Sequence, residues 1–135
     1  MRSLSALTDD GARFVSERHL ATLSTMGRDG IIHVVAVGLT VEAGIVRIIT
    51  SGDSQKVRNV ERDPRATVAQ VAGPVWLSVA GRATVERDPE AVAHAVALYA
   101  RRYRQPRVNP RRVVIRIEPT KVMGSTGLFR TGDGA

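Results

Sequence analysis

The sequence predicts a mainly β fold in which six antiparallel strands close, or nearly close, into a barrel with short helices in the connections. Three observations predict it. Runs rich in Val, Ile and Thr recur along most of the chain. Turn signals such as Asp29-Gly30, Ala43-Gly44 and Gly73-Pro74 separate them. Helical spacing is confined to three stretches, so most strands must find one another through hairpins and dispose of their edges by closure.

Thr8-Asp9-Asp10 supplies an N-cap and two early acids ahead of Phe14, Val15 and Arg18, which predicts a short helix over 9–18. Leu20–Met26 reads as the first strand. Gly27-Arg28-Asp29-Gly30 is a hairpin turn into a long second strand, Ile31–Val41. Glu42-Ala43-Gly44 turns the chain into a third, Ile45–Thr50. After the polar Ser51-Gly52-Asp53-Ser54, a helix is expected over Gln55–Arg62, capped by Ser54 and stopped by Asp63-Pro64. Ala66–Val71 and Val75–Val85 are the fourth and fifth strands. Asp88-Pro89-Glu90 opens a helix reaching about Tyr103, and Gln105–Pro110 leaves no room for regular structure. Arg112–Ile117 is the sixth strand, with a brief return over Thr120–Met123, and Thr131–Ala135 are expected to fray.

The 135 residues suffice for one domain, 1–135, with a core over about 8–124 and a C-terminal tail over 125–135. No apolar run is long enough for a membrane helix. No long apolar segment precedes Asp9-Asp10, so a secretory leader is not expected and a cytoplasmic location is. The absence of cysteine excludes disulfides, thiolate metal sites and thiol catalysis. A net charge of +7 raises a nucleic-acid reading. The arginines are scattered, however, and only Lys56 and Lys121 are lysine, so genome composition accounts for much of that charge. One cluster stands apart: Arg101, Arg102, Arg104, Arg107, Arg111, Arg112 and Arg116.

The strand-to-helix junction Thr50–Asn59 carries the most chemical information. Helix N-terminal amides bind anions, and hydroxyls at the cap add donors. Lys56 adds a point positive charge, the usual role of lysine at a phosphate. The same residues have a purely structural reading, with Ser54 a simple cap and Lys56 a solvated side chain. Neither a glycine-rich phosphate loop nor a dinucleotide fingerprint occurs, which removes mononucleotide-kinase and Rossmann readings.

The order of Asp-Gly hairpin, His33-Val34-Val35-Ala36-Val37, a strand ending Ile49-Thr50, then Ser54-Gln55-Lys56 and Asp63-Pro64 resembles the pyridoxamine-phosphate-oxidase-like split barrels. The resemblance covers about residues 8–124. It implies a split β-barrel of the FMN-binding type and a homodimer with the cofactor at its interface. It also implies a cofactor phosphate held around Ile49, Thr50, Ser51, Ser54, Gln55, Lys56 and Asn59. The ring would lie along His33, Val34, Val35 and Ala36, with Trp76 nearby. Within the family the chain is similar to the F420-dependent branch (flavin/deazaflavin oxidoreductase class B), and there to the mycobacterial F420H2-dependent biliverdin reductase type. Ser16–Ala21, His33–Gly38, Gly52–Lys56, Trp76-Leu77-Ser78 and Pro106–Ile115 carry that finer likeness.

Two departures bear on the cofactor. Many FMN-binding members place a second basic residue before the loop lysine, and here that position is Gln55. A terminal phosphate carries about −1.5 to −2 at neutral pH, whereas the phosphodiester of coenzyme F420 carries one negative charge. A single lysine with helix amides suits the diester, with FMN the alternative. The C-terminal Trp, Arg and His of the authentic oxidases are missing from Ile117–Met123, so a vitamin B6 substrate is not expected.

His33 reads first as a barrel-wall residue with a satisfied imidazole and second as a catalytic group. Trp76 is either core or a stacking surface at the interface. Arg101, Arg102 and Arg104 suit the C-terminus of a helix. Arg107, Asn109, Arg111 and Arg112 lie in a proline-restricted loop, and arginine pairs bidentately with carboxylates. The oligoglutamate tail of coenzyme F420 and the propionates of a bilin both offer carboxylates, while plain surface charge is the competing reading.

The resemblance thus implies an F420H2-dependent reductase that passes hydride from C5 of the deazaflavin to a small conjugated substrate, with biliverdin reduced to bilirubin. The cofactor bears the chemistry, so no catalytic side chain and no metal are expected. An FMN-dependent oxidase or reductase on the same barrel is the alternative. A basic nucleic-acid or regulatory module is a third reading. Neither nucleic acid nor membrane is an expected partner.

Overall fold

The computed structural model describes residues 2–131. The elements run α1 (Asp9–Ser16), β1 (Ala21–Met26), β2 (Ile32–Val37), β3 (Leu39–Glu42), β4 (Ile45–Ser51), α2 (Gln55–Arg62), β5 (Arg65–Ala72), β6 (Val75–Glu86), α3 (Pro89–Arg102) and β7 (Arg112–Gly124). All pairings are antiparallel, in the order β2-β1-β5-β6-β7-β4-β3. The sheet therefore has seven strands rather than the six expected.

The extra strand comes from Gly38, which divides the expected 31–41 run. Before it, Val37 pairs with Ala21 of β1; after it, Leu39 pairs with Ile48 of β4. Consecutive residues thus belong to opposite edges of the sheet, and the chain itself joins those edges. Glycine suits that position, since a Cβ would press on the rings of Tyr99 and Tyr103 at 3.1 Å. The tyrosines occupy the space that a side chain would fill.

The expected sixth strand and its brief return are one strand, β7. A register shift opposite Ala80 and Gly81 absorbs Thr120, so the pairing passes Pro119 without breaking the strand. Gly81 permits the approach, since a Cβ would sit 2.2 Å from the Glu118 carbonyl oxygen.

Alternation along the strands sends Leu23, Val46, Ile48, Val68, Val79, Ile115 and Ile117 inward, each nearly or wholly buried. α2 packs Val57 and Val60 into this core, and burial of each contributes about 1.5–3 kcal/mol. The chain past β7 is not a loose tail at first. Thr126–Leu128 forms a 3-10 turn, Leu128 and Phe129 join the core, and Phe129 bridges to Leu7. The rest of the expected tail, residues 132–135, lies outside the described residues, as does most of the fraying expected at 131–135.

The opposite face of β1, β2, β5 and β6 carries a different population. Val34 pairs with Ser24, Ser24 with Thr67, and Thr67 with Ala80; Ala36, Thr22, Ala69 and Ser78 form the next row. Val71 and Trp76 pair beyond them. This outer face is uncharged along those rows, and Ile32, Val34, Val71 and Trp76 on it are exposed. Among the described residues, no helix is long and apolar enough to cross a membrane.

Candidate functional site

β4 ends at Ser51 and α2 begins at Gln55, so the chain reverses within Gly52-Asp53-Ser54. The expected helix has the observed bounds, but its expected cap is different. Ser54 occupies the N-cap position and its side chain makes no capping hydrogen bond. Its hydroxyl lies 3.5 Å from that of Thr50 instead. The first-turn amides of α2 therefore lack a side-chain acceptor, next to two hydroxyl groups. That is the donor set an anion needs. Lys56 stands beside it, half-buried, and burial pushes its ammonium below the usual lysine range.

A cavity of about 280 Å³ opens on this junction. Thr50, Ser51 and Lys56 line one side, with Ala36, Ile49, Asn109 and Arg112 also in its wall. Tyr99 and Pro106 line it too, and the sequence reading missed both. Tyr99 was hidden because helical spacing alone does not tell which face of α3 meets β4. Its stacking on Tyr103, with ring centroids 4.8 Å apart, is the tertiary signal.

Further along β2, a second hollow of about 430 Å³ is lined by the β1–β2 turn, Ile31, Ile32, His33, Gln55 and Asn59. Asn59 is wholly buried. Its amide donates to Thr25 Oγ1 at 3.1 Å and its oxygen accepts from Gln55 at 2.8 Å and Arg62 at 3.2 Å. Asn59 thus fixes α2 on β1 and orients Gln55 toward the hollow. His33 departs from the satisfied imidazole expected of it. Its Nδ1 is buried with no hydrogen-bond partner among the described residues. A buried ring nitrogen left without a partner costs about 1–3 kcal/mol.

The remaining expected site residues divide by position. Val35 packs against the core, and Val34 points to the outer face. Trp76, at 41% exposure, is not core; it sits on that outer face and lines neither hollow. At the start of β7, next to the 105–111 loop, Arg112 is half-buried and donates to the Arg107 carbonyl at 2.6 Å. Arg107 itself is exposed. Asn109 shapes the loop, accepting the Arg111 amide at 2.9 Å on its side chain and the Arg112 amide at 3.1 Å on its carbonyl. Arg111 pairs with Asp53 at 2.9 Å, so the carboxylate it matches is one of the chain's own.

Of the expected arginine cluster, Arg102 is the member that folding consumes. Its guanidinium donates to the carbonyls of Glu17, Leu39 and Phe14 and to Gln70 Oε1. Gln70 in turn donates to Phe14 O at 2.7 Å.

The arrangement fits a flavin-like cofactor. An uncapped helix start with two hydroxyls and a lysine suits its phosphate. β2 is an edge strand whose outer side pairs with no other strand, leaving main-chain groups for a ring edge. The two hollows lie along that strand, and His33 is one of the residues that line the larger. No group of three or more His, Asp or Glu residues that would hold a metal occurs among the described residues.

Known proteins share this fold and sequence. The chain is 48% identical over 131 residues to an F420H2-dependent biliverdin reductase of Mycobacterium tuberculosis, covering 96% of each chain. A conserved hypothetical protein from M. tuberculosis superposes with a TM-score of 0.77 at 25% identity, over all of this chain and 98% of that one. A solved F420 reductase superposes with a TM-score of 0.70 at 24% identity, over 82% of this chain and 93% of that one. The model of the pyridoxamine 5'-phosphate oxidase family matches residues 7–125. With the family model matched over most of its length, this chain belongs to the pyridoxamine 5'-phosphate oxidase family.

Proposed function

We propose that this protein is a coenzyme F420H2-dependent reductase that passes a hydride from the reduced deazaflavin to a conjugated acceptor, reducing biliverdin to bilirubin. The observation that carries the reading is the uncapped, lysine-bearing start of α2 opening onto the free edge of β2. Near-full-length likeness to a biliverdin reductase supports the choice of cofactor and acceptor.

When bound, the reduced deazaflavin supplies the hydride, and the protein's part is to bind, orient and exclude water. The hydroxyls of Thr50 and Ser54, the α2 amides and Lys56 hold the phosphodiester. Main-chain groups of His33–Ala36 would meet the ring edge. Tyr99 and Pro106 line the seat. Arg112 and Asn109 meet carboxylates of the cofactor tail or of the substrate. Hydride transfer requires no nucleophilic side chain.

A second copy of the chain covers the outer face. Val34, Val71 and Trp76 are exposed on a face whose neighbouring rows are Ser, Thr and Ala, an uncharged surface of small residues that suits contact with a second copy. Ala36 belongs to this face and also lines the anion cavity, which supports a cofactor held at the interface. Light scattering tests the pairing: the native chain runs as a dimer and Val34→Asp shifts it to monomer.

The reaction is tested by adding biliverdin to protein and F420H2 and following deazaflavin oxidation together with bilirubin formation. Turnover with reduced FMN but none with F420H2 would replace the cofactor. Turnover of a quinone or enone but not of biliverdin would keep the class and replace the substrate.

A further inference from the structure

We infer that Tyr99 is a further binding residue of the anion seat, its phenol donating a hydrogen bond to the phosphate of the cofactor from the α3 side. The inference rests on the reading of Thr50–Lys56 as the cofactor's phosphate seat.

Tyr99 and Tyr103 are the chain's two tyrosines. Tyr99 lies in the last turn of α3 and Tyr103 at its C-cap, a spacing of four that puts both on one face. Their rings stack with centroids 4.8 Å apart. The fold consumes the donor of Tyr103. Its hydroxyl shares a proton between the carbonyl oxygens of His19 and Leu39, each at 2.9 Å, and the Arg102 guanidinium lies 5.2 Å from its ring centre.

Tyr99 is used differently. It is half-buried and lines the cavity together with Thr50, Ser51 and Lys56. Among the described residues its hydroxyl has no hydrogen-bond partner. Gly38 shows which end of the ring reaches the cavity. A Cβ there would lie 3.1 Å from Tyr99 Cε2, the carbon next to the one that bears the hydroxyl. Gly38 itself lines the cavity, so the phenol end of Tyr99 lies at that wall.

Packing on Tyr103 and Gly38 holds the ring before any ligand arrives, so little side-chain freedom is lost on binding. A hydrogen bond to an anionic oxygen is roughly twice as strong as one between neutral groups. The phenol thus adds a donor without adding charge, and α3 joins the α2 amides, the two hydroxyls and Lys56 around one anion.

Fluorescence titration with three probes gives the test: the phosphate-free deazaflavin alcohol, its 5'-phosphate, which lacks the tail, and coenzyme F420. Tyr99→Phe keeps the ring and removes the donor. It is expected to weaken the 5'-phosphate and coenzyme F420 alike, by about tenfold, and to leave the alcohol within twofold. Its Tm is expected to match that of the native chain, because the fold makes no use of that hydroxyl. Tyr103→Phe is the control, expected to lower Tm by about 4 °C and to leave all three affinities within twofold.

Equal weakening of all three probes by Tyr99→Phe overturns the inference, because the residue would then act through ring packing. A loss confined to coenzyme F420 overturns it too, since the phenol would meet the tail carboxylates instead. Lys56→Gln separates the inference from the reading beneath it. If that change leaves both phosphate-bearing probes alone, the phosphate does not sit here and both fall. If it weakens them while Tyr99→Phe changes nothing, the role of Tyr99 alone falls.

Discussion

Arg102 and Arg112 belong to one arginine-rich stretch, and the fold uses them in opposite ways. Arg102 is 8% exposed and ties α3 to α1, β3 and β5 through three main-chain carbonyls and Gln70. Burial pushes its pKa down from the usual arginine range, and a dense set of acceptors compensates the desolvated cation. Arg112 reaches the Arg107 carbonyl and otherwise faces the anion cavity. The first arginine has its acceptors supplied by the fold, and the second keeps donor capacity for a ligand. Residue type does not separate a structural cation from a binding one; the number of fixed acceptors around it does.

Four substitutions test that contrast, beginning with the largest expected effect. Arg102→Met removes the donor for four acceptors and leaves Gln70 Oε1 buried without its partner. The loss is expected to be about 3 kcal/mol, or about 10 °C in Tm, read by thermal unfolding. A melt unchanged within a degree or two would show that the buried network is replaceable.

Lys56→Gln acts at the seat instead. Loss of a charge-assisted contact is expected to weaken coenzyme F420 binding about tenfold to a hundredfold without lowering Tm. Lys56 also predicts a pH dependence. Its folded pKa lies below its unfolded one, so the unfolded chain binds that proton more tightly. Stability therefore rises with pH through the interval between the two values. Cofactor affinity runs the other way, because the seat loses its cation as pH climbs through the depressed pKa. Lys56→Gln should flatten both slopes, and titrations across the alkaline range would expose a slope that persists.

Arg112→Gln is expected to cost about threefold to fivefold in cofactor affinity and nothing in Tm, as for a partly solvated cation. A change in Tm comparable to that of Arg102→Met would erase the distinction between the two arginines. Arg107→Gln is expected to change least. Its main-chain carbonyl, not its exposed side chain, holds Arg112. A loss of affinity beyond twofold by fluorescence titration would place that side chain at the ligand.

Much of the fold was legible because its signals are local. Ser54 ahead of the helix and Asp63-Pro64 behind it bounded α2 as Gln55–Arg62. Asp88 caps α3 by accepting from Ala91, as its place before Pro89 predicts. Thr8 caps α1 in the same way, although that helix stops at Ser16 rather than continuing to residue 18. The Ile31–Val41 run was legible as strand but not as two strands. Its composition is uniform, and what divides it is a pair of tyrosine rings from the far end of α3 lying on Gly38.

The anion seat shows the same division. Its residues, Thr50, Ser54 and Lys56, stood out in the sequence by type and spacing. That Ser54 leaves the helix start uncapped, that Tyr99 and Pro106 wall the cavity, and that Asp53 neutralises Arg111 did not.

By itself, then, the sequence determined the β-rich barrel class, the helix starts and stops and the chemical character of the β4–α2 junction. Periodicity, caps and turn residues act over a few positions and can be read in order. Tertiary structure alone decided which edge each half of the second strand joined, which arginine was buried and which polar atoms kept a free valence. Those outcomes depend on desolvation and on acceptors brought from distant positions, as when Arg102 meets Phe14 across 88 residues.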